Sequence, residues 1–112
     1  MFKFDCVFYY VSDLPRSIRF YAEVLGFRLV SQDVVARFDL DGVLFELVPT
    51  DDMAKLEAVA GLGLEVDDMR EAVANLQSKG VQTASPEKKE GGLLSSFEDP
   101  DGNRICLWQY LS

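Results

Sequence analysis

The chain has 112 residues, 48% of them apolar, with 11 Lys and Arg against 19 Asp and Glu, a net charge of −8 and no histidine. The length suits one domain around one core, no apolar run reaches the roughly 18 residues a bilayer span needs, and the negative field opposes phosphate backbones and anionic lipid surfaces. Nucleic acid and membranes are therefore not expected as partners, and the lack of histidine removes the commonest metal ligand and the commonest general base together.

Residues 2–11 are rich in aromatic and β-branched types and read as a strand with no secretory leader before it, which leads us to expect a cytoplasmic protein. A helix is predicted over 14–25, where Leu14, Ile18, Tyr21, Ala22 and Leu25 recur at helical spacing, Asp13 caps the first turn and Gly26 suits the exit. Pro15 is tolerated in that first turn. Strands are predicted over 27–33, 35–40 and 43–48, the last two joined by the tight-turn pair Asp41-Gly42. Residues 51–59 read as a connector with one helical turn.

The same order then begins again. Residues 61–66 are strand-like, Asp68 and Glu71 have capping-box spacing, and Met69, Ala72, Val73 and Leu76 form an apolar helical stripe ending at Gly80. Residues 11–18 align with 66–73 at an offset of 55 (Val11 to Val66), and 41–47 align with 101–107 at an offset of 60 (Asp41 to Asp101). An internal repeat of this length predicts a duplicated supersecondary unit. The fold class expected is α+β, two βαβββ modules at 1–50 and 60–112 within a single domain, each module covering the other's apolar face.

Strand alternation sorts the side chains once one residue is fixed, because a single-residue slip inverts every assignment. With Cys6 pointing into a cleft on the sheet's free face, Phe8 and Tyr10 join it while Val7, Tyr9 and Val11 face the helices. Leu44, Glu46 and Val48 are likewise expected to face the cleft and Val43, Phe45 and Leu47 the core. Gly61, Gly63 and Glu65 follow the cleft set, as do Arg104, Cys106, Trp108 and Tyr110, with Ile105 and Leu107 left to the core. This register keeps Glu46 and Glu65 from lying unpaired beneath helices, which would be costly.

The segments VSDLPRSIRFYAEVLGF (11–27), FELV (45–48), GLEVDD (63–68) and FEDPDGNRICLWQ (97–109) together resemble the vicinal-oxygen-chelate superfamily of glyoxalases, bleomycin-resistance proteins and extradiol dioxygenases. The resemblance runs along nearly the whole chain. It implies two βαβββ modules whose curved mixed sheet wraps a cleft, often in a homodimer with modules exchanged between subunits. It also implies metal positions at Cys6, Glu46, Gly61 and Cys106, of which Glu46 alone keeps the residue type of the family's metal enzymes.

Zero histidines cannot supply the 2-His-1-carboxylate site of extradiol dioxygenases, and the acidic field disfavours anchoring glutathione carboxylates. The function expected is metal-independent binding of a small molecule, with an aromatic or cationic drug-like guest held by Phe8, Tyr10, Arg37, Leu44, Glu46, Glu65, Trp108 and Tyr110. In that reading the carboxylates meet a cation and Arg37 orients an anionic group; no cofactor is expected. The bland counterpart is that the aromatics pack only on one another or on a partner subunit, that the acidic charge serves solubility, that Glu46 is a lone carboxylate and that the cysteines are small hydrophobes. Two alternatives stand beside it: a divalent-metal lyase or isomerase in which Cys6, Glu46 and Cys106 hold zinc, and a noncatalytic dimerisation domain. Reduced thiols are expected at Cys6 and Cys106, with a redox disulfide as a third use should they lie within reach.

Overall fold

The computed structural model describes residues 3, 5–56 and 61–111. Phe2 and Phe4 of the expected first strand and positions 57–59 of the connector lie outside the described residues. Two compact units divide the chain, Met1–Ala58 and Val59–Ser112. Each carries one four-stranded mixed sheet.

The first unit runs β1 (Val7–Val11), α1 (Leu14–Arg19), β2 (Arg28–Gln32), β3 (Ala36–Leu40), β4 (Val43–Pro49) and the single helical turn α2 (Met53–Leu56), with sheet order β1-β4-β3-β2. Asp13 caps α1 by accepting from the Arg16 N–H at 3.1 Å. Past Arg19 the helix continues as a wider π turn over Phe20–Val24, the Leu25 N–H reaching back to the Phe20 carbonyl at 3.0 Å. The expected helix is present, and its second half is wound with one more residue per hydrogen-bonded ring than 3.6-residue spacing anticipates. Tyr21 in this turn is fully buried, its ring 5.1 Å from Phe45 and 6.2 Å from Phe38. Those contacts fix the helix-side face of the sheet, on which Tyr9, Val11, Ala36 and Leu47 are also buried.

Asp41-Gly42 closes β3 onto β4 with positive φ at both residues (53° and 83°), the backbone a two-residue hairpin of this twist requires. The Asp39 carboxylate steadies it by accepting from the Gly42 N–H at 3.0 Å.

The second unit repeats the order as β5 (Gly61–Glu65), α3 (Met69–Ser78), β6 (Glu87–Lys89), β7 (Gly92–Glu98) and β8 (Arg104–Tyr110), with sheet order β5-β8-β7-β6. The two sheets share one register. Val7 pairs Phe45 in parallel and Leu62 pairs Ile105 in parallel, which is the same pairing displaced by 55 on one strand and 60 on the other. Met69, Val73 and Leu76 of α3 are buried together with Leu62, Phe97, Ile105 and Leu107. Asp68 caps α3 through the Glu71 N–H, and Gln109 of β8 accepts from the Met69 N–H at 2.7 Å, tying the helix start to its own sheet.

The second Asp-Gly pair does not form the two-residue hairpin that the repeat suggested. Asp101-Gly102 lies inside a longer loop organised by Asp99, whose buried carboxylate accepts from the N–H groups of Asp101 and Asn103 and from the Asn103 side-chain amide at 2.8–2.9 Å. Among the described residues no helix is long and apolar enough to cross a membrane.

Gly92 has a steric role. A Cβ built there meets the Gln109 carbonyl oxygen and comes within 2.5 Å of the Trp108 ring, whereas one at Gly63 meets nothing within 4 Å. Gly92→Ala is expected to lower stability by about 1–3 kcal/mol, the usual range for overpacking, and Gly63→Ala to stay within about 0.5 kcal/mol. Chemical denaturation of both variants decides it, and equal stabilities would show that Trp108 does not rest on Gly92.

Candidate functional site

In the first unit the sheet face turned away from α1 gathers its polar chemistry around Glu46. The side chain is 18% exposed and sits on β4 between β1 and β3, with Phe8 as its β1 neighbour and Arg37 as its β3 neighbour. Antiparallel partners share a face, so Arg37 is placed beside Glu46 by register alone. Its Nε donates to Glu46 Oε2 at 2.9 Å. From the other side the Cys6 thiol donates to Glu46 Oε1 at 3.1 Å.

Glu46 is therefore not a lone carboxylate, and Arg37, expected to orient an anionic group, is engaged with it through Nε. A half-buried carboxylate must recover what it loses in leaving water, and a guanidinium one strand away supplies it with a charge-assisted hydrogen bond. Arg37 Nη1 also approaches Ser31 Oγ and Asp33 Oδ2, each at 3.4 Å. The Val35 N–H, joined by the Arg37 charge, holds the exposed Asp33 carboxyl below its ordinary value. Ser31 and Asp33 were not named from the sequence, although the Asp33-to-Arg37 spacing across a tight β2–β3 connection was a usable signal.

Beside this network Phe8 and Tyr10 pack edge to face with centroids 5.3 Å apart, Phe8 being 44% exposed. Lys55 of α2 lies over the Tyr10 ring at 5.3 Å from its centroid, a cation–π contact nothing in the sequence marked. Leu44 is half-buried on the same strand as Glu46.

In the second unit the equivalent face is built differently. Gly63 stands where the first unit has Phe8, Ser96 where it has Arg37 and Cys106 where it has Glu46, as the pairings Gly63↔Cys106 and Ser96↔Cys106 show. Trp108 and Tyr110 pack edge to face at 5.8 Å, with Trp108 half-buried and Tyr110 68% exposed. Glu65 is exposed and is the β5 partner of Trp108, which sets a carboxylate next to the indole. Gly61 offers no side chain, and Cys6 and Cys106 are both free thiols.

The hydrogen bond to Glu46, followed by burial and by the Glu46 and Asp5 charges, pushes the Cys6 thiol up from 9.0 to about 11. At neutral pH it is a protonated donor. A folded value raised above the unfolded one means that this contribution to stability is complete below about 9 and is lost as pH climbs toward 11. Alkylation of Cys6 by iodoacetamide is accordingly expected to be half-maximal near pH 11, and in Glu46→Gln to fall back toward 9. A midpoint that Glu46→Gln leaves in place would show that the Cys6 thiol does not donate to Glu46.

Residues 3–107 match the family model of the Glyoxalase/Bleomycin resistance protein/Dioxygenase superfamily. A lactoylglutathione lyase of Escherichia coli O157:H7 is 31% identical over 114 residues, covering 87% of this chain and 84% of its own length. An antibiotic binding protein from Streptomyces sp. CB03234 is 28% identical with a TM-score of 0.82, covering 99% of each chain. A glyoxalase/bleomycin resistance protein from the same organism is 30% identical with a TM-score of 0.78, covering 95% of this chain and 100% of that one. The chain belongs to the Glyoxalase/Bleomycin resistance protein/Dioxygenase superfamily.

Proposed function

We propose that this protein binds a small molecule with a planar apolar body and does so without a metal ion. The observation that carries the reading is the engagement of Glu46: both of its oxygens are taken, by Arg37 and by a protonated Cys6. A resident divalent ion needs deprotonated donors. Of the four positions that correspond to the family's metal ligands, one is a glycine, one is a thiol pushed up to about 11, one is a carboxylate already paired with a guanidinium, and the fourth is the free thiol of Cys106. That donor set does not fit a catalytic zinc, which takes three protein ligands and keeps one position open.

What remains is aromatic surface. Phe8 with Tyr10 in one unit and Trp108 with Tyr110 in the other present partly exposed ring pairs on the sheet face away from the helix. Rings of this kind offer rigid apolar area to a flat guest. Glu65 beside Trp108 favours a positively charged one, whereas the Tyr10 ring already has Lys55 above it, so a cationic group is assigned to the Trp108 side. The similarity to an antibiotic binding protein over 99% of the chain supports sequestration as the role. A homodimer is part of the reading, with Leu29 and Val30 exposed on the edge strand β2 and Val34 in the turn that follows it as the surface for the second copy. A monomer in sedimentation would remove that part.

The lactoylglutathione lyase relatives favour a second reading, a metal-dependent lyase built on Glu46. Metal content separates the two. The purified protein is expected to hold well under one equivalent of divalent metal by elemental analysis. One tight equivalent that disappears in Glu46→Ala would establish the lyase reading instead.

Trp108 is the sole tryptophan, so its emission reports on the aromatic face of the second unit. Titration with proflavine, a planar aromatic cation, is expected to quench or shift that emission, and Tyr110→Ala to weaken binding about fivefold, in line with one aromatic pair. Emission unchanged at saturating proflavine would count directly against sequestration at this face.

A further inference from the structure

A groove of about 500 Å³ opens on the opposite side of the second sheet, between α3 and the β6–β7 hairpin. Met69, Val73 and Leu93 make its apolar floor, and Ala74, Pro86 and Arg70 stand at its rim. All of them belong to the second unit. The volume falls within the roughly 300–1,000 Å³ usual for small-molecule sites. The groove is distinct from the aromatic face: Leu93 pairs Gln109, whose side chain reaches α3, while Leu94 pairs Trp108 on the other side.

Its charge is opposite to that of the whole chain. The net charge is −8, yet no carboxylate lines the groove and its one charged lining residue is Arg70. Lys88 adds a second cation, because it is the direct antiparallel partner of Leu93 and therefore shares the groove-side face. Lys89 and Glu87, one step away, pair with each other on the opposite face at 3.1 Å. Among the described residues neither Arg70 nor Lys88 joins an ion pair. Two uncompensated cations above an aliphatic floor are complementary to an amphipathic anion.

We propose that the α3–β7 groove is a second binding site, for a small organic anion with an apolar body of the medium-chain or aryl carboxylate class. The aliphatic part lies on Val73 and Leu93, and the carboxylate is held between Arg70 and Lys88. No bond is made or broken. The site does not depend on the aromatic face, so its failure would leave the reading of Trp108 untouched.

The test is a titration of the ¹⁵N-labelled full chain with decanoate, decanol and decylamine, followed by amide shifts. Decanoate is expected to move the amides of Arg70, Val73, Ala74, Lys88 and Leu93 with a saturable dependence, decanol to bind more weakly, and decylamine weakest of all. The Arg70→Gln/Lys88→Gln variant should bind decanoate about tenfold more weakly, as the loss of two exposed ion pairs implies. Ala74→Phe, a change at an exposed helix position, should fill the groove and abolish the shifts while leaving the remaining spectrum intact. Any of three outcomes would overturn the proposal: shifts confined to the Trp108 face, equal affinity for all three probes, or decanoate affinity unchanged in both variants. Movement of the groove amides on diluting the ligand-free protein would also overturn it, by showing that a second copy of the chain occupies the groove.

Discussion

The outer face of the first sheet depends on a carboxylate that has been taken largely out of water. Glu46 retains 18% of its side-chain exposure and answers that loss with an ionic hydrogen bond from Arg37 and a thiol hydrogen bond from Cys6. Each partner is consequently fixed by the one acceptor. Arg37 is drawn across β3 and leaves its terminal nitrogen within reach of Ser31 and Asp33, and Cys6 is held as a protonated thiol. The chemistry follows from this arrangement. Glu46 is the centre of an internally neutralised cluster, and releasing it for another task would leave a guanidinium without its closest anion.

The internal repeat shows that this is a property of the side chains and not of the backbone. The register Val7↔Phe45 recurs as Leu62↔Ile105, so the two sheets are built on one plan. At the second sheet's equivalent of the Glu46 cluster stand Gly63, Ser96 and Cys106, which require no charge balance at all. The area freed there is used by aromatic packing, with Trp108 resting over Gly92 and meeting Tyr110 edge to face. At this position the duplicated modules have thus diverged into a self-paired charged cluster in one and uncharged Gly63, Ser96 and Cys106 in the other, on strand pairings that keep the same register.

How much of this was legible in the sequence depends on the range of the interaction. Alternation in β1, β4 and β8 needs only neighbouring residues, and it sorted Tyr9, Val11, Phe45, Leu47, Ile105 and Leu107 to the buried side, whereas Val43, assigned inward by the same rule, is exposed at the strand's start beside the turn. The caps at Asp13 and Asp68 and the positive φ of Asp41-Gly42 are equally local. The π turn at Phe20–Val24 was hidden because Tyr21 and Leu25 fit a 3.6-residue spacing as well as a wider one over so short a stretch. Arg37 was placed on its strand but given a free guanidinium, since its partner is fixed by cross-strand pairing and not by spacing along the chain. Gln109 and Lys55 carried no signal at all. Their contacts with Met69 and with the Tyr10 ring join distant segments.

The DPDGN stretch shows why a motif that identifies a family need not belong to its site. Its acidic residues invite a functional reading, yet Asp99 is buried and its oxygens are taken by three N–H donors of its own loop. A buried carboxylate satisfied in this way sets the geometry of the β7–β8 connection, and through it the phase with which Arg104, Cys106, Trp108 and Tyr110 leave the loop on one face. Shifting that phase by one residue would turn Trp108 toward α3 and Ile105 toward solvent. The motif acts on function through register. A fold does not fix the chemistry done on it, and this chain is similar both to a lyase and to an antibiotic binding protein, so its own chemistry is decided by the residues that the register presents.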